Sequence, residues 1–203
     1  MQILKKVINF ILRKVSYLDK IDSSEKKVFL TFDDGPEIGI TEFVLDELAR
    51  FNFKATFFCC GNNAQKYPVL MKRIVAEGHT LGNHTYSHYN AYDVVSKLYV
   101  NDVEKADTLL HTKWFRPPYG CLAFGAWTQL RKKYKIVFWS LNSNDSAGDK
   151  FNFDKSFKTL TEKTATGEIV LFHFCCKHEN ETKQILSPYL NWLLKNGFVS
   201  KGL

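Results

Sequence analysis

The sequence predicts an α/β domain built on a largely parallel sheet, open or closed into a barrel. The first observation behind this is alternation: short strand-like runs are separated by longer amphipathic stretches, with no internal repeat and no low-complexity segment. The second is length, because 203 residues suit one domain with a sizeable core. The third is composition, since 17 Phe and 9 Tyr argue against a disordered chain.

The chain opens on "MQILKKVINFILRKVSYLDK", where Leu4, Ile8, Ile11, Val15 and Leu18 fall on one helical face and the cations elsewhere. This predicts a basic amphipathic segment over residues 1–25. It either packs on the domain or lies at an interface, with peripheral membrane contact through residues 1–20. Arg13 and Lys14 interrupt the apolar run and no small-residue cleavage site follows, which makes a poor signal peptide and too broken a membrane span. The catalytic or binding domain is then expected over 26–203.

Strands are expected at 27–32, 54–59, 79–83, 113–116, 135–140, 168–173 and 198–200, each a short apolar or β-favouring run. Between them "TEFVLDELARFN", "YPVLMKRIVAEG", "SKLYVNDVEKADTLL" and "FGAWTQLRKKY" read as amphipathic helices. Pro68 stands near the start of the second and Gly78 closes it, as helix ends prefer.

Parallel α/β architectures place their chemistry at the carboxyl ends of the strands, so the residues just after each strand carry the information. After the first come Asp33 and Asp34, and after the third comes "NHTYSH" with His84 and His88. The fourth runs into "RPPYG" with Arg116 and Tyr119, the fifth into "NSNDS" with Asp145, and the sixth ends on His173. His84 and His88, spaced i, i+4, share a face if a helix begins there, and two histidines with a carboxylate form a common divalent-metal set. Two adjacent aspartates suit two roles, one binding the metal and the other acting as general base; an Asx turn would need only one.

Arg116 can hold that base through a charge-assisted bond, or serve as a surface ion pair. Pro117 and Pro118 stiffen the loop, so the Tyr119 backbone N–H is placed as an oxyanion hole requires. His173 with Asp145 beside it suits a general acid. His79 reads as structural, while His111 and His178 read as surface residues.

A formal charge of +7 fits an anionic partner such as a wall polymer or a membrane surface. Nothing beyond charge points to nucleic acid, and none is expected as a partner. Of five cysteines, four form the vicinal pairs Cys59–Cys60 and Cys175–Cys176 at the ends of apolar runs. No Cys-x-x-Cys spacing appears, so buried free thiols are expected rather than a cysteine-held zinc. Thiols of that kind fit a reducing compartment, hence a cytoplasmic or membrane-peripheral protein.

"TFDDGP", "HTYSH", "RPPYG" and the "LFH" of residues 171–173 resemble, in order and spacing, the motifs of the polysaccharide deacetylases, carbohydrate esterase family four. "KATFFCCGNNAQKYP" and "EGHTLGNHTYSH" are similar to the family between those motifs, so the resemblance runs from about residue 26 to the C-terminus. It implies a distorted (β/α) barrel of about seven strands and a metal-dependent hydrolase. That hydrolase would remove N-acetyl or O-acetyl groups from a glycan such as one containing N-acetylglucosamine. By position, Asp33 would be the base, Asp34, His84 and His88 the ligands of one divalent ion, usually zinc, and Arg116 the residue orienting the base. Tyr119 would offer its amide to the oxyanion, His173 tuned by Asp145 would be the acid, and Leu171 would line the acetate pocket. Family analogy also implies the cell envelope. One motif departs: where the family often has two aspartates and then tryptophan, "NSNDS" keeps Asp145 but has Asn142 and Ser146 at the other places. That substitution leaves two alternatives to a glycan deacetylase, namely a non-sugar amide or ester hydrolase and a catalytically silent glycan-binding homologue.

Overall fold

A computed structural model describes residues 20–22 and 24–203; the expected amphipathic helix near the N-terminus lies outside the described residues. The domain is an α/β half-barrel. Its strands are β1 (Lys27–Asp33), β2 (Ala55–Cys59), β3 (Thr80–Asn83), β4 (Trp114–Phe115), β5 (Lys135–Ile136), β6 (Leu141–Asn142), β7 (Ile169–His173) and β8 (Val199–Ser200). Seven of them run in the order β5-β4-β3-β2-β1-β7-β6, with β8 beside the start of β1, and every ladder is parallel. The helices are α1 (Ile40–Arg50), α2 (Gly61–Lys66), α3 (Pro68–Ala76), α4 (Ser96–Leu110), α5 (Phe124–Leu130), α6 (Phe153–Lys163) and α7 (Glu179–Lys195). Among the described residues no helix is long and apolar enough to cross a membrane.

Helix periodicity and strand parity together build the core. On α1, Ile40, Val44, Leu45 and Leu48 are buried, the spacing of one helical face. On α7, Ile185, Leu186, Tyr189, Leu190 and Leu193 do the same. Both faces cover Val28, Leu30 and Phe32 of β1. The alternate residues Phe29, Thr31 and Asp33 face the barrel interior, as the two-residue period of a strand requires. Register with β7 stacks this inner column as Phe29↔Ile169, Thr31↔Leu171 and Asp33↔His173. Apolar pairs therefore fill the base of the barrel and ionisable ones reach its rim.

The strand expected at 135–140 is two short ones, and the reason is visible in its hydrogen bonds. Val137 N–H still donates to Phe115 of β4, whereas Ser140 N–H donates to Ile169 of β7. In between, the carbonyls of Val137 and Phe138 turn inward to accept from the Arg116 guanidinium at 3.4 and 2.7 Å. The segment thus changes partner strand midway, and an arginine takes up the carbonyls that a ladder would have used.

Gly35 follows the acid pair where Phe174 crosses it; a β-carbon there would meet the Phe174 carbonyl oxygen at 2.5 Å. Gly35→Ala is therefore expected to destabilise the domain by about 1–3 kcal/mol through overpacking. Urea denaturation reads this as a lower midpoint, and an unchanged midpoint would contradict the packing described.

Candidate active site

Asp33 ends β1 in regular strand geometry, but Asp34 has φ +84°. Adjacent strand residues ordinarily point to opposite sides; the left-handed turn at Asp34 brings its carboxylate back to the same side as Asp33. Asn63 on α2 secures that turn, donating from Nδ2 to the Asp34 carbonyl at 2.9 Å.

His84 and His88 converge on the acid pair, though not by the helix expected. No helix begins there; Thr85 and His88 have φ +64° and +56°, and it is this loop that folds the second imidazole back over the first. Asp102, buried on α4, holds the loop by accepting the Tyr86 and Ser87 N–H groups and the Ser87 hydroxyl at 2.8–2.9 Å. His84 Nδ1 lies 2.7 Å from the Arg116 carbonyl. A carbonyl can only accept, so Nδ1 carries the proton and Nε2 presents its lone pair to the cleft.

Asp34 Oδ1 stands 3.4 Å from His84 Nε2 and 3.1 Å from His88 Nε2. Two zinc–ligand bonds of about 2.1 Å meeting at a tetrahedral angle span about 3.4 Å. The oxygen is therefore spaced from each nitrogen as one divalent ion would need, all three ligand atoms lie within 4.8 Å of one another, and the tautomer of His84 is the one that binds metal. Burial alone would raise the Asp34 carboxyl, but the His84 and His88 imidazoles facing it hold it well below the usual carboxylate range.

Asp33 lies deeper, its Oδ2 3.8 Å from His84 Nε2 and its Oδ1 accepting from Arg116 Nη1 at 2.7 Å. Arg116 is fully buried, not a surface pair; it also donates to Thr31 Oγ1 at 2.8 Å and lies 4.2 Å over the Phe58 ring. Three residues on, Tyr119 has φ +59° after the two prolines and sets its ring edge-on to His88, 4.8 Å between centroids.

His173 closes the opposite side. Asp145, fully buried, accepts the His173 N–H and faces Nδ1, each at 2.7 Å, while Thr182 of α7 donates to the same carboxylate at 2.9 Å. Burial opposes a charge on His173, yet the paired Asp145 carboxylate pushes it up to about 9. This value lies above the ordinary 6.5. The pairing therefore adds stability that is complete below about pH 6.5 and is lost as pH rises through about 9.

Asp33, Asp34, His84, His88, Tyr119 and His173 line one cleft of about 520 Å³, with Arg116 and Asp145 buried behind it. Leu171, Trp139 and Ser146 lie along its wall, so the position that the family gives to tryptophan is open here, and Trp139 reaches the cleft from the β5–β6 segment instead. His178 corrects the expectation of a surface residue: it is 7% exposed, lines the cleft and packs edge-on to His173. The vicinal thiols also divide, with Cys59, Cys60 and Cys175 buried and Cys176 exposed. His79 is structural as expected, its Nδ1 accepting the Ala55 N–H, and His111 is exposed. Asp102, Thr182, Asn63 and Trp139 went unpredicted, because each acts through a tertiary contact that no local motif marks.

An α/β half-barrel whose strand-end cleft joins an acid pair, two facing imidazoles and an Asp–His pair has the acid–base equipment that hydrolases use. The polysaccharide deacetylase family profile matches residues 20–136, more than half of the chain, and the chain belongs to that family. A peptidoglycan-N-acetylglucosamine deacetylase of Bacillus cereus is 36% identical over 168 residues, 79% of this chain and 60% of that protein. A second deacetylase of the same description from Bacillus cereus is 30% identical over 88% of this chain and 87% of that one. A crystal structure of a peptidoglycan N-acetylglucosamine deacetylase in complex with 4-naphthalen-1-yl-N-oxidanyl-benzamide superposes with a TM-score of 0.86 at 32% identity. It covers 95% of this chain and 92% of that one. The chain thus spans under two thirds of the first of these relatives and most of the other two.

Proposed function

We propose that this chain is a divalent-metal-dependent deacetylase of N-acetylated envelope glycans, with N-acetylglucosamine-containing peptidoglycan as the substrate class. The observation that carries the reading is the convergence, in one cleft, of Asp34, His84 and His88 with the Asp33–Arg116 and His173–Asp145 pairs. The activity by which the relatives are named supports the glycan.

A divalent ion held by Asp34, His84 and His88 would supply Lewis-acid polarisation of the acyl oxygen and acidify water beside it. Asp33 is then the general base that takes the proton of the attacking water, and Arg116 fixes its carboxylate so that Oδ2 faces the reacting centre. The Tyr119 N–H receives the developing oxyanion. His173, held by Asp145 and Thr182, gives its proton to the departing sugar amine, and acetate leaves. Leu171 and Trp139 line the acyl end.

The test is acetate release from peptidoglycan, N-acetylglucosamine oligomers, acetylated xylan and a small amide, after chelation and after zinc is restored. Zinc-dependent release from the first two is expected; zinc-loaded, folded protein that releases none would end the proposal. Ser146 at the open wall favours a second reading, a larger or non-sugar acyl substrate, which preferential turnover of the small amide would support.

The acid role of His173 makes a pH prediction. Asp145→Asn removes the carboxylate that keeps the imidazole protonated, so the alkaline limb of kcat/KM should move down by roughly one to two pH units. A pH–rate profile identical to that of the unaltered protein would remove His173 from the acid role.

A further inference from the structure

Cys175, His178 and the second oxygen of Asp34 stand at the cleft with no part in the chemistry above. The Asp34 carboxylate faces two ways. Its Oδ1 points to His84 and His88, whereas Oδ2 lies 3.7 Å from Cys175 Sγ. Zinc–sulfur and zinc–oxygen bonds of about 2.3 and 2.1 Å meeting at a tetrahedral angle span about 3.6 Å. His178 supplies a third donor: ligand atoms of Asp34, Cys175 and His178 all lie within 4.8 Å of one another.

His178 gives the independent sign that something belongs there. It is 7% exposed, and its Nδ1 is buried with no hydrogen-bond partner among the described residues. An orphaned imidazole nitrogen in the interior costs free energy unless a proton donor or a cation meets it. The neighbouring groups are a carboxylate oxygen, which binds cations, and a thiol, which a metal deprotonates.

We propose that Asp34, Cys175 and His178 form a second divalent-cation site, with the Asp34 carboxylate bridging it to the ion at His84 and His88. This rests on the metal reading of the first site. A carboxylate bridge sets two ions about 3.5–4 Å apart, the usual spacing of paired sites. A set of thiolate, imidazole and carboxylate selects zinc or cobalt over magnesium and calcium. The local sequence shows no sign of it because Asp34 is far from Cys175 and His178 in the chain and meets them only in the fold.

The experiment is titration of the chelator-stripped full chain with Co(II), reading bound metal per chain and near-ultraviolet absorption. Two ions are expected, one of them giving thiolate-to-cobalt charge transfer. Cys175→Ser and His178→Gln should each bind one ion, the former without the charge-transfer band, while Cys176→Ser keeps both ions and the band. Replacing His84 and His88 by alanine together should remove one ion and leave the band, which separates failure of the first site from failure of the second. A single ion with no thiolate absorption in the unaltered chain, or a band that survives Cys175→Ser, overturns the proposal.

Discussion

Asp33→Asn should lower kcat for acetate release by about 10²–10⁴-fold, the usual contribution of a positioned general base. Asparagine keeps the shape and can still accept from Arg116, so the geometry at 2.7 Å survives the change. What it loses is the basic lone pair facing His84 across 3.8 Å. Zinc content should hold, because Asp34, His84 and His88 make up the ligand set without it. Some stability is lost as Arg116 is left opposite a neutral group, but kcat measured on folded protein is independent of that loss. A variant within tenfold of the unaltered kcat would show that another group takes the proton.

The largest effect on stability is expected from Arg116→Leu. Arg116 is wholly buried, with Asp33 only 3% exposed beside it, so removing the cation leaves a buried carboxylate without its partner. Breaking such a pair costs about 3–5 kcal/mol. The guanidinium also binds the Thr31 hydroxyl of β1 and the Val137 and Phe138 carbonyls of the segment between β5 and β6, so the tie between them across the barrel interior is lost. Urea denaturation should show the loss, and adding Asp33→Asn to Arg116→Leu should recover part of it by removing the orphaned charge. Equal stability of the single variant, or no recovery in the double one, would mean that the pair is not coupled as its geometry implies.

Most strands were legible because buried runs such as residues 27–33 are continuous in sequence and bounded by turn residues. Residues 135–140 misled for a physical reason: their pattern favours extended backbone, but which strand they pair with depends on an arginine contributed from residue 116. The candidate site was legible where chemistry stands at strand ends, in Asp33, Asp34, His84, His88, Arg116 and His173. Its means of assembly was not. The left-handed backbone at Asp34, Thr85 and His88 depends on Asn63 and Asp102, which reach in from other elements. His178 looked like a surface residue because its neighbours Lys177 and Glu179 are charged, while the side chain itself turns under the cleft.

The most direct measurement is the position of zinc in a crystal of the full chain, read from anomalous scattering at the zinc edge. The account predicts a peak about 2.0–2.2 Å from Asp34 Oδ1, His84 Nε2 and His88 Nε2. Zinc bound elsewhere, with those three side chains turned away from one another, would contradict it.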